Sequence, residues 1–290
     1  MPEAADPGLP IGPARPPWPD SVRIVSWNIE RGFQLPKILE FLRETHADLI
    51  LLQEVDLNAR RTHCRDIAGE LGRALNLNYA FGMEFQELAE GTAARPAFHG
   101  MATLSRWPLT NARIIRFHHQ SGFWKPRWYV PDLAVFQRRL GGRIALVAET
   151  AIYNRKVVAY NLHLESKGDD TLRLQQLNEV LADCRTHADQ PVLIIAGDFN
   201  FSAGEGAAGK ALGEAGFRDA VRSSGNPTTT SHRVIDWIFV SVTQESAGRV
   251  HNEVRASDHY PVSATLAPGC ARAQPVWASL PPVSACPWRL

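Results

Sequence analysis

The strongest constraint on the fold is the run Val192-Leu193-Ile194-Ile195-Ala196-Gly197-Asp198-Phe199-Asn200. Aliphatic residues lead without a polar break into a small pair, then a carboxylate, then an amide two residues later. A continuous apolar run bounded by turn chemistry is how a strand buried on both faces reads, and such strands belong to sheets covered by helices. Asp and Asn disfavour strand backbone, so they mark the strand's C-terminal end. In α/β folds that edge is where ligands sit. Alternation along a strand would send Asp198 and Asn200 to the same side.

The same grammar recurs along the chain. Val22 to Ile29 reads as a strand that delivers Asn28, and Leu35, Ile38, Leu39 and Leu42 form the buried stripe of a helix. Ala47 to Val55 is a second strand, apolar until it delivers Glu54. A right-handed βαβ unit puts both strand ends on one edge. Ile67, Leu71 and Leu75 mark another helix, Tyr79 to Phe85 and Gly100 to Ser105 two strands, with residues 86–99 a loop between them. Arg143 to Thr150 and Lys156 to His163 predict a hairpin turning at Tyr153-Asn154-Arg155. Asp169 or Asp170 caps a helix carrying Leu174, Leu177, Leu181 and Cys184. A Gly/Ala-rich helix near 205–215 ends at Gly216, Val234 to Val240 is a strand carrying Asp236, and Ser257 to Val262 leads into the last strand. Residues 21–267, with no repeat or linker, read as one domain between a Pro-rich arm (1–20) and a Pro-rich tail (268–290).

Polar residues at strand ends now form a set: Asn28, Glu54, His163, Asp198, Asn200, Asp236, Asp258 and His259. Taken singly they are turn residues, solvated carboxylates or core histidines. As a group they bring several charges to one rim, which requires a cation or mutual pairing. Oxygen-rich sites suit Mg²⁺, which binds a few carboxylates and substrate phosphate oxygens. No cysteine joins the set and no H-E-x-x-H occurs, which argues against a zinc peptidase. There is no P-loop and no G-x-S-x-G elbow. Metal-assisted attack of water on a phosphate ester remains.

The net charge of +1 argues against a strongly basic nucleic-acid binder while leaving room for a local basic face. Cys64, Cys184, Cys270 and Cys286 show no C-x-x-C pairing and read as ordinary thiols; the last two can pair in an oxidising compartment. No apolar run approaches the ~20 residues that span a bilayer, and no signal-peptide h-region is visible, so a cytoplasmic protein is expected.

At these residues the chain resembles the endonuclease/exonuclease/phosphatase superfamily. The resemblance rests on Trp27-Asn28, Leu52-Gln53-Glu54-Val55, Asn161-Leu162-His163-Leu164, Gly197-Asp198-Phe199-Asn200, Ile235-Asp236-Trp237-Ile238-Phe239 and Ser257-Asp258-His259-Tyr260-Pro261-Val262, in that order over roughly 21–267. It implies a four-layer α/β sandwich, two mixed sheets face to face and flanked by helices, and phosphoester hydrolysis with Mg²⁺ or Mn²⁺. It further implies that Glu54 is the principal metal ligand, with Asn28 beside it and Asp258 a further ligand. By the same resemblance Asp198 activates the water, Asn200 is its hydrogen-bonding partner, His259 contacts the phosphoryl oxygen, Asp236 holds that imidazole, and His163 stabilises the transition state from the other side. His163-Leu164-Glu165-Ser166, with Arg173 and Leu177, is similar to the tyrosyl-DNA phosphodiesterase 2 group; Phe201-Ser202-Ala203 departs from that group's Leu-Arg pair.

The stretch from Phe117 to Tyr129 interleaves Phe123, Trp124, Trp128 and Tyr129 with Lys125 and Arg127. Trp124, Lys125 and Arg127 are therefore substrate-binding candidates: aromatics stack on bases at ~1–3 kcal/mol each while cations meet phosphates. The same composition suits a lipid interface or a packed surface loop. Arg60, beside Arg61, is a candidate phosphate contact against the alternative of a solvated pair. The expectation is a monomeric phosphodiesterase acting on nucleic acid, by nuclease or DNA-end chemistry. A sphingomyelinase-like lipid or small-molecule phosphoesterase comes second, and a non-catalytic scaffold third.

Overall fold

The computed structural model describes residues 6–7, 21–131, 133–136, 138–152, 155–187, 191–221, 226–241 and 247–266. The expected arm and tail, except Asp6–Pro7, the hairpin tip Tyr153-Asn154, Cys270 and Cys286 lie outside the described residues.

In chain order the strands and helices begin with β1 (Asp6–Pro7), β2 (Val22–Arg31), α1 (Leu35–Thr45), β3 (Leu49–Leu57), α2 (Ile67–Leu75), β4 (Asn78–Glu87), β5 (Ala97–Ser105) and β6 (Thr110–Arg116). They continue with β7 (Arg139–Gly141), β8 (Ile144–Ile152), β9 (Arg155–His163), α3 (Asp170–Cys184), β10 (Val192–Asp198), α4 (Gly206–Glu214), β11 (Arg218–Asp219), β12 (Asp236–Val240), β13 (Ala247–Val250) and β14 (Val262–Leu266). One sheet has the order β1-β4-β5-β3-β2-β14-β13, with β7 also on β4; the second runs β11-β12-β10-β9-β8-β6. Both are mixed: β2–β3 and β9–β10 are parallel, their other neighbours antiparallel.

Three cores make four layers. Val22 and Ile24 of β2, Leu49 and Leu51 of β3, Val157 and Ala159 of β9, and Ile194 and Ala196 of β10 meet between the sheets. The intervening residues point outward. Val25, Trp27, Ile50 and Leu52 pack under α1 and α2, while Val158, Tyr160, Leu193 and Ile195 pack under α3 and α4. This is the expected sandwich, and the period-2 alternation explains it. Burying a Val, Leu or Ile side chain contributes roughly 1.5–3 kcal/mol, so all three cores contribute. The expected local signals hold: Asp169 caps α3 by accepting from the N–H of Leu172, and Gly216, after α4, has φ +81°.

One expected element differs. The segment 86–99 is not wholly a loop, because Ala97–His99 extend β5 along β3 and β4; His99 faces a buried carboxylate, which no alternation pattern reveals. Within the Pro-rich arm, Asp6–Pro7 pair with Phe81 and Ala80 at the sheet edge, where a Pro is tolerated.

Candidate active site

Along β2, β9, β10 and β12 the inward-facing positions turn polar at one end of the sandwich. Asn161 of β9 donates to the carbonyls of Leu52 and Ala102 across the sheet gap, and Gln53 of β3 donates to its Oδ1 at 2.7 Å. This buried bridge roofs the inter-sheet core. One step further along the same faces stand Asn28, His163, Asp198 and Asp236, with Asp198 directly opposite His163 on one neighbour and Asp236 on the other.

Asp198 is the hub. Its Oδ2 accepts from Nδ2 of Asn28 at 3.2 Å, and Nε2 of His163 and Nε2 of His259 each lie 3.7 Å from it. Its Oδ1 accepts the backbone N–H of Asn200 at 2.9 Å. Strand alternation does not reach Asn200, since the strand stops at Asp198 and Asn200 takes a left-handed φ of +57°. Its side-chain amide donates to the carbonyl of Leu164, so Asn200 serves Asp198 through its main chain.

His259 rests on the 257–259 loop, which Trp27 and Ser257 fasten to β2: the Trp27 indole donates to the His259 carbonyl, and Ser257 to the Asn28 carbonyl. Nδ1 of His259 lies 3.0 and 2.9 Å from the two oxygens of Asp236. Burial alone would lower this imidazole's pKa, but the Asp236 and Asp198 carboxylates outweigh it and push it up to about 10. The proton stays on the imidazole because Asp236 is an acceptor on its other side as well. The Thr228 hydroxyl accepts the backbone N–H groups of Ile235 and Asp236, so its one hydrogen goes to Asp236 Oδ2 at 2.7 Å. Thr228 was not visible as a site residue; in sequence it is one of three consecutive threonines in a loop.

Glu54 sits where β3 bulges against β5, the register slipping between Leu52 and Val55, with φ +53°. A non-glycine residue held there costs on the order of 1–3 kcal/mol and marks functional positions. Burial raises its pKa, yet the fields of His99, His163, Arg31 and Arg143 outweigh that and hold the carboxyl far below the usual range. Glu30 is its counterpart: burial first, then the charges of Asp258 and Glu54, push it above the usual range. Glu30, Glu54 and Asp258 thus share one side of the site.

That donor set fits a hard divalent cation. Glu54 is ionised, partly open, and has no hydrogen bond or ion pair within 4.0 Å among the described residues. Asp258 is exposed, its Oδ1 3.2 Å from the Ser257 hydroxyl, whose one hydrogen goes to the Asn28 carbonyl at 2.7 Å. The oxygen of Asn28 accepts the N–H of Glu30 while its nitrogen is spent on Asp198. Asp198, Asp236 and His259 also bring donor atoms within 4.8 Å of one another, but Asp236 and His259 face each other, and an imidazolium cannot ligate. The trio is a charge-paired cluster of two carboxylates and an imidazole.

His163 faces Asp198 with Nε2 and is backed at Nδ1 by Arg143 (2.8 Å) and Glu84 (3.4 Å). Arg143 and Glu84 escaped sequence reasoning: Arg143 follows two glycines and looks like an ordinary strand opener, and Glu84 sits in an alternating strand. Trp124, expected to face substrate, is half-buried and lines a groove together with Lys125 and Arg127, with its polar edge bound to the protein. Its indole N–H donates to Glu165 at 3.0 Å, and its ring packs on Phe85, Arg139 and Arg143. Lys125 and Arg127 are exposed beside Trp128 (92% exposed) and Tyr129. Arg60 is exposed and gives its guanidinium to the carbonyl of Ala89, while Arg61 is bound to Asp56 and Glu87.

A family profile described as Endonuclease/Exonuclease/phosphatase family matches residues 25–259. No curated protein matches the chain. Among solved structures, an endonuclease/exonuclease/phosphatase from Beutenbergia cavernae is 18% identical, with a TM-score of 0.61 over 86% of this chain and 72% of that one. Truncated TDP2 from Caenorhabditis elegans is 18% identical, TM-score 0.57, over 84% and 96%. ANGEL2, a 2′,3′-cyclic phosphatase, is 16% identical, TM-score 0.57, over 84% and 94%. At such identities the likeness is one of fold.

Proposed function

The chain belongs to the endonuclease/exonuclease/phosphatase family, and on that premise we propose that it is a divalent-metal-dependent phosphodiesterase acting on nucleic acid. One observation supports the hydrolytic reading above all: a single carboxylate oxygen, Asp198 Oδ2, is ringed by Asn28, His163 and His259, and the same His163 is among the cations whose fields keep Glu54 ionised.

Glu54 would hold the Mg²⁺ or Mn²⁺, with Asn28 and Asp258 as further oxygen ligands, and the cation would draw charge from the phosphoryl group. Asp198, held by Asn28 and by the N–H of Asn200, orients a water and takes its proton as the water oxygen bonds to phosphorus and the ester P–O bond breaks. His259, as an imidazolium backed by Asp236, and His163 donate N–H groups to phosphoryl oxygens as negative charge builds. Donors of this kind each contribute ~2.7–4 kcal/mol to lowering a barrier.

The nucleic-acid reading draws on the 117–131 segment. A groove of about 470 Å³ is lined by Lys125, Arg127, Arg138, Arg139 and Lys167, with no carboxylate among its described lining residues. Trp128 and Tyr129 stand exposed beside it, Arg127 donating to the Tyr129 hydroxyl. Cations with free aromatic faces suit a single strand. One observation favours a lipid phosphodiester as second reading: Leu133, Val135 and Leu140 are exposed in the same region, and aliphatic side chains offer bases no stacking face.

Hydrolysis of bis-p-nitrophenyl phosphate with Mg²⁺ or Mn²⁺, abolished by EDTA and by Glu54→Gln, is the expected result. Inactivity with both metals on that ester, single-stranded DNA and RNA, abasic DNA, 5′-tyrosyl DNA and sphingomyelin vesicles would overturn the enzymatic reading. Turnover of the vesicles alone would replace the nucleic-acid reading with the lipid one.

A further inference from the structure

We propose that Arg143 is a positioning residue that fixes the tautomer of His163, so that this imidazole meets a phosphoryl oxygen as an Nε2–H donor. The kinetic part rests on the phosphodiesterase reading; the tautomer itself does not.

Arg143 immediately precedes β8 and is 3% exposed. Gln120 clamps its main chain from both sides, accepting its N–H at 3.0 Å and donating to its carbonyl at 2.8 Å. Its guanidinium lies against the rings of Phe85 and Trp124, and Nη2 donates to the Ser166 hydroxyl at 3.1 Å. The guanidinium is therefore held in one orientation, and Nη1 in that orientation reaches Nδ1 of His163 at 2.8 Å.

A guanidinium has only donors and keeps its protons in proteins. Nδ1 of His163 must then accept, and the ring hydrogen belongs on Nε2. Glu84 is the rival. Its Oε2 lies 3.4 Å from the same Nδ1, and a hydrogen drawn there would strip Nε2 of its donor. Geometry favours Arg143: the 2.8 Å contact is a hydrogen bond, Glu84 Oε1 is already an acceptor from Arg143 at 3.2 Å, and Oε2 makes no hydrogen bond. The pair Arg143/Glu84 thus sets a choice between two tautomers, and the closer partner selects the useful one.

Long-range ¹H–¹⁵N correlation of the metal-free wild-type protein at pH 8, with the His163 signals assigned through His163→Gln, reads this directly. The expected pattern is an unprotonated Nδ1 and a protonated Nε2; a protonated Nδ1 overturns the proposal whether or not the protein hydrolyses anything. In Arg143→Gln the hydrogen is expected to move to Nδ1, facing Glu84, and kcat to fall about 10- to 100-fold with KM changed less than twofold. Adding Glu84→Met, which has no oxygen to accept the Nδ1 hydrogen, removes the rival acceptor, and the double variant is expected to regain the Nε2–H pattern and at least tenfold in kcat over Arg143→Gln. A double variant worse than either single one, or Arg143→Gln with unchanged kcat, overturns the positioning role while leaving the phosphodiesterase reading intact.

Discussion

Two imidazoles stand at the same distance, 3.7 Å, from the same oxygen of Asp198, and what lies behind them differs in sign. His259 is backed by the carboxylate of Asp236, His163 by the guanidinium of Arg143. The first is thereby an imidazolium, the second an acceptor at its rear nitrogen. On the tautomer proposed above, both turn an N–H toward the place where an anion would sit. Identical side chains at a site acquire separate duties from their buried partners.

Removing what the two sides share gives the largest effect. Asp198→Asn keeps the hydrogen-bonding shape and loses the base, so kcat is expected to fall about a thousandfold or more, measured by steady-state hydrolysis with Mg²⁺. A residual rate within tenfold of wild type would show that the two imidazoles do not converge on a working base. Breaking the carboxylate side alone comes next. Asp236→Asn should lower kcat about 100- to 1,000-fold, and whatever activity needs the imidazolium should fade at lower pH than in the wild type, since His259 loses the charge that raises it. An unmoved alkaline limb would erase the distinction between the two sides.

The same asymmetry has a stability signature. A histidine raised to about 10 in the native state, from 6.5 unfolded, favours the native state in full below pH 6.5. That contribution, on the order of a few kcal/mol, declines as pH rises and is gone above pH 10. Urea unfolding of the metal-free protein between pH 6 and 10.5 should show the loss in wild type and much less of it in Asp236→Asn. The smallest contrast concerns the loop that leans on the guanidinium side. Trp124→Ala removes a ring packed on Arg143 and should cost ~3 kcal/mol of stability. Trp128→Ala should leave stability within ~0.5 kcal/mol and raise KM several-fold on single-stranded substrate. Thermal melts and KM values on both variants check the pair.

Most of the layered architecture was legible because burial on two faces leaves an unmistakable apolar run, as in Val192–Asp198, and because Asn28, Glu54, His163 and Asp198 interrupt such runs at their ends. Legibility stopped where contacts depend on the third dimension. Arg143 and Thr228 matter through single hydrogen bonds to groups 20 and 8 residues away, and nothing in their local sequence separates them from a strand opener and a loop hydroxyl. Asn200 lies beyond the reach of alternation for a related reason: alternation describes a strand, and the strand ends at Asp198. Trp124 illustrates the limit of composition, since an aromatic among cations can line a groove and pack on the protein's own arginines at once.

The bond from the Trp27 indole to the His259 carbonyl joins residues 232 apart, and β14 closes the flank of β2 opposite β3. A chain emerging from the ribosome can form the first parallel pair early, but β2 then waits with an open edge until residues 262–266 arrive. The seat of His259 is consequently among the last features the nascent chain can complete: a chain stopped before residue 259 lacks the imidazole, and one stopped before 262 lacks the strand that closes β2.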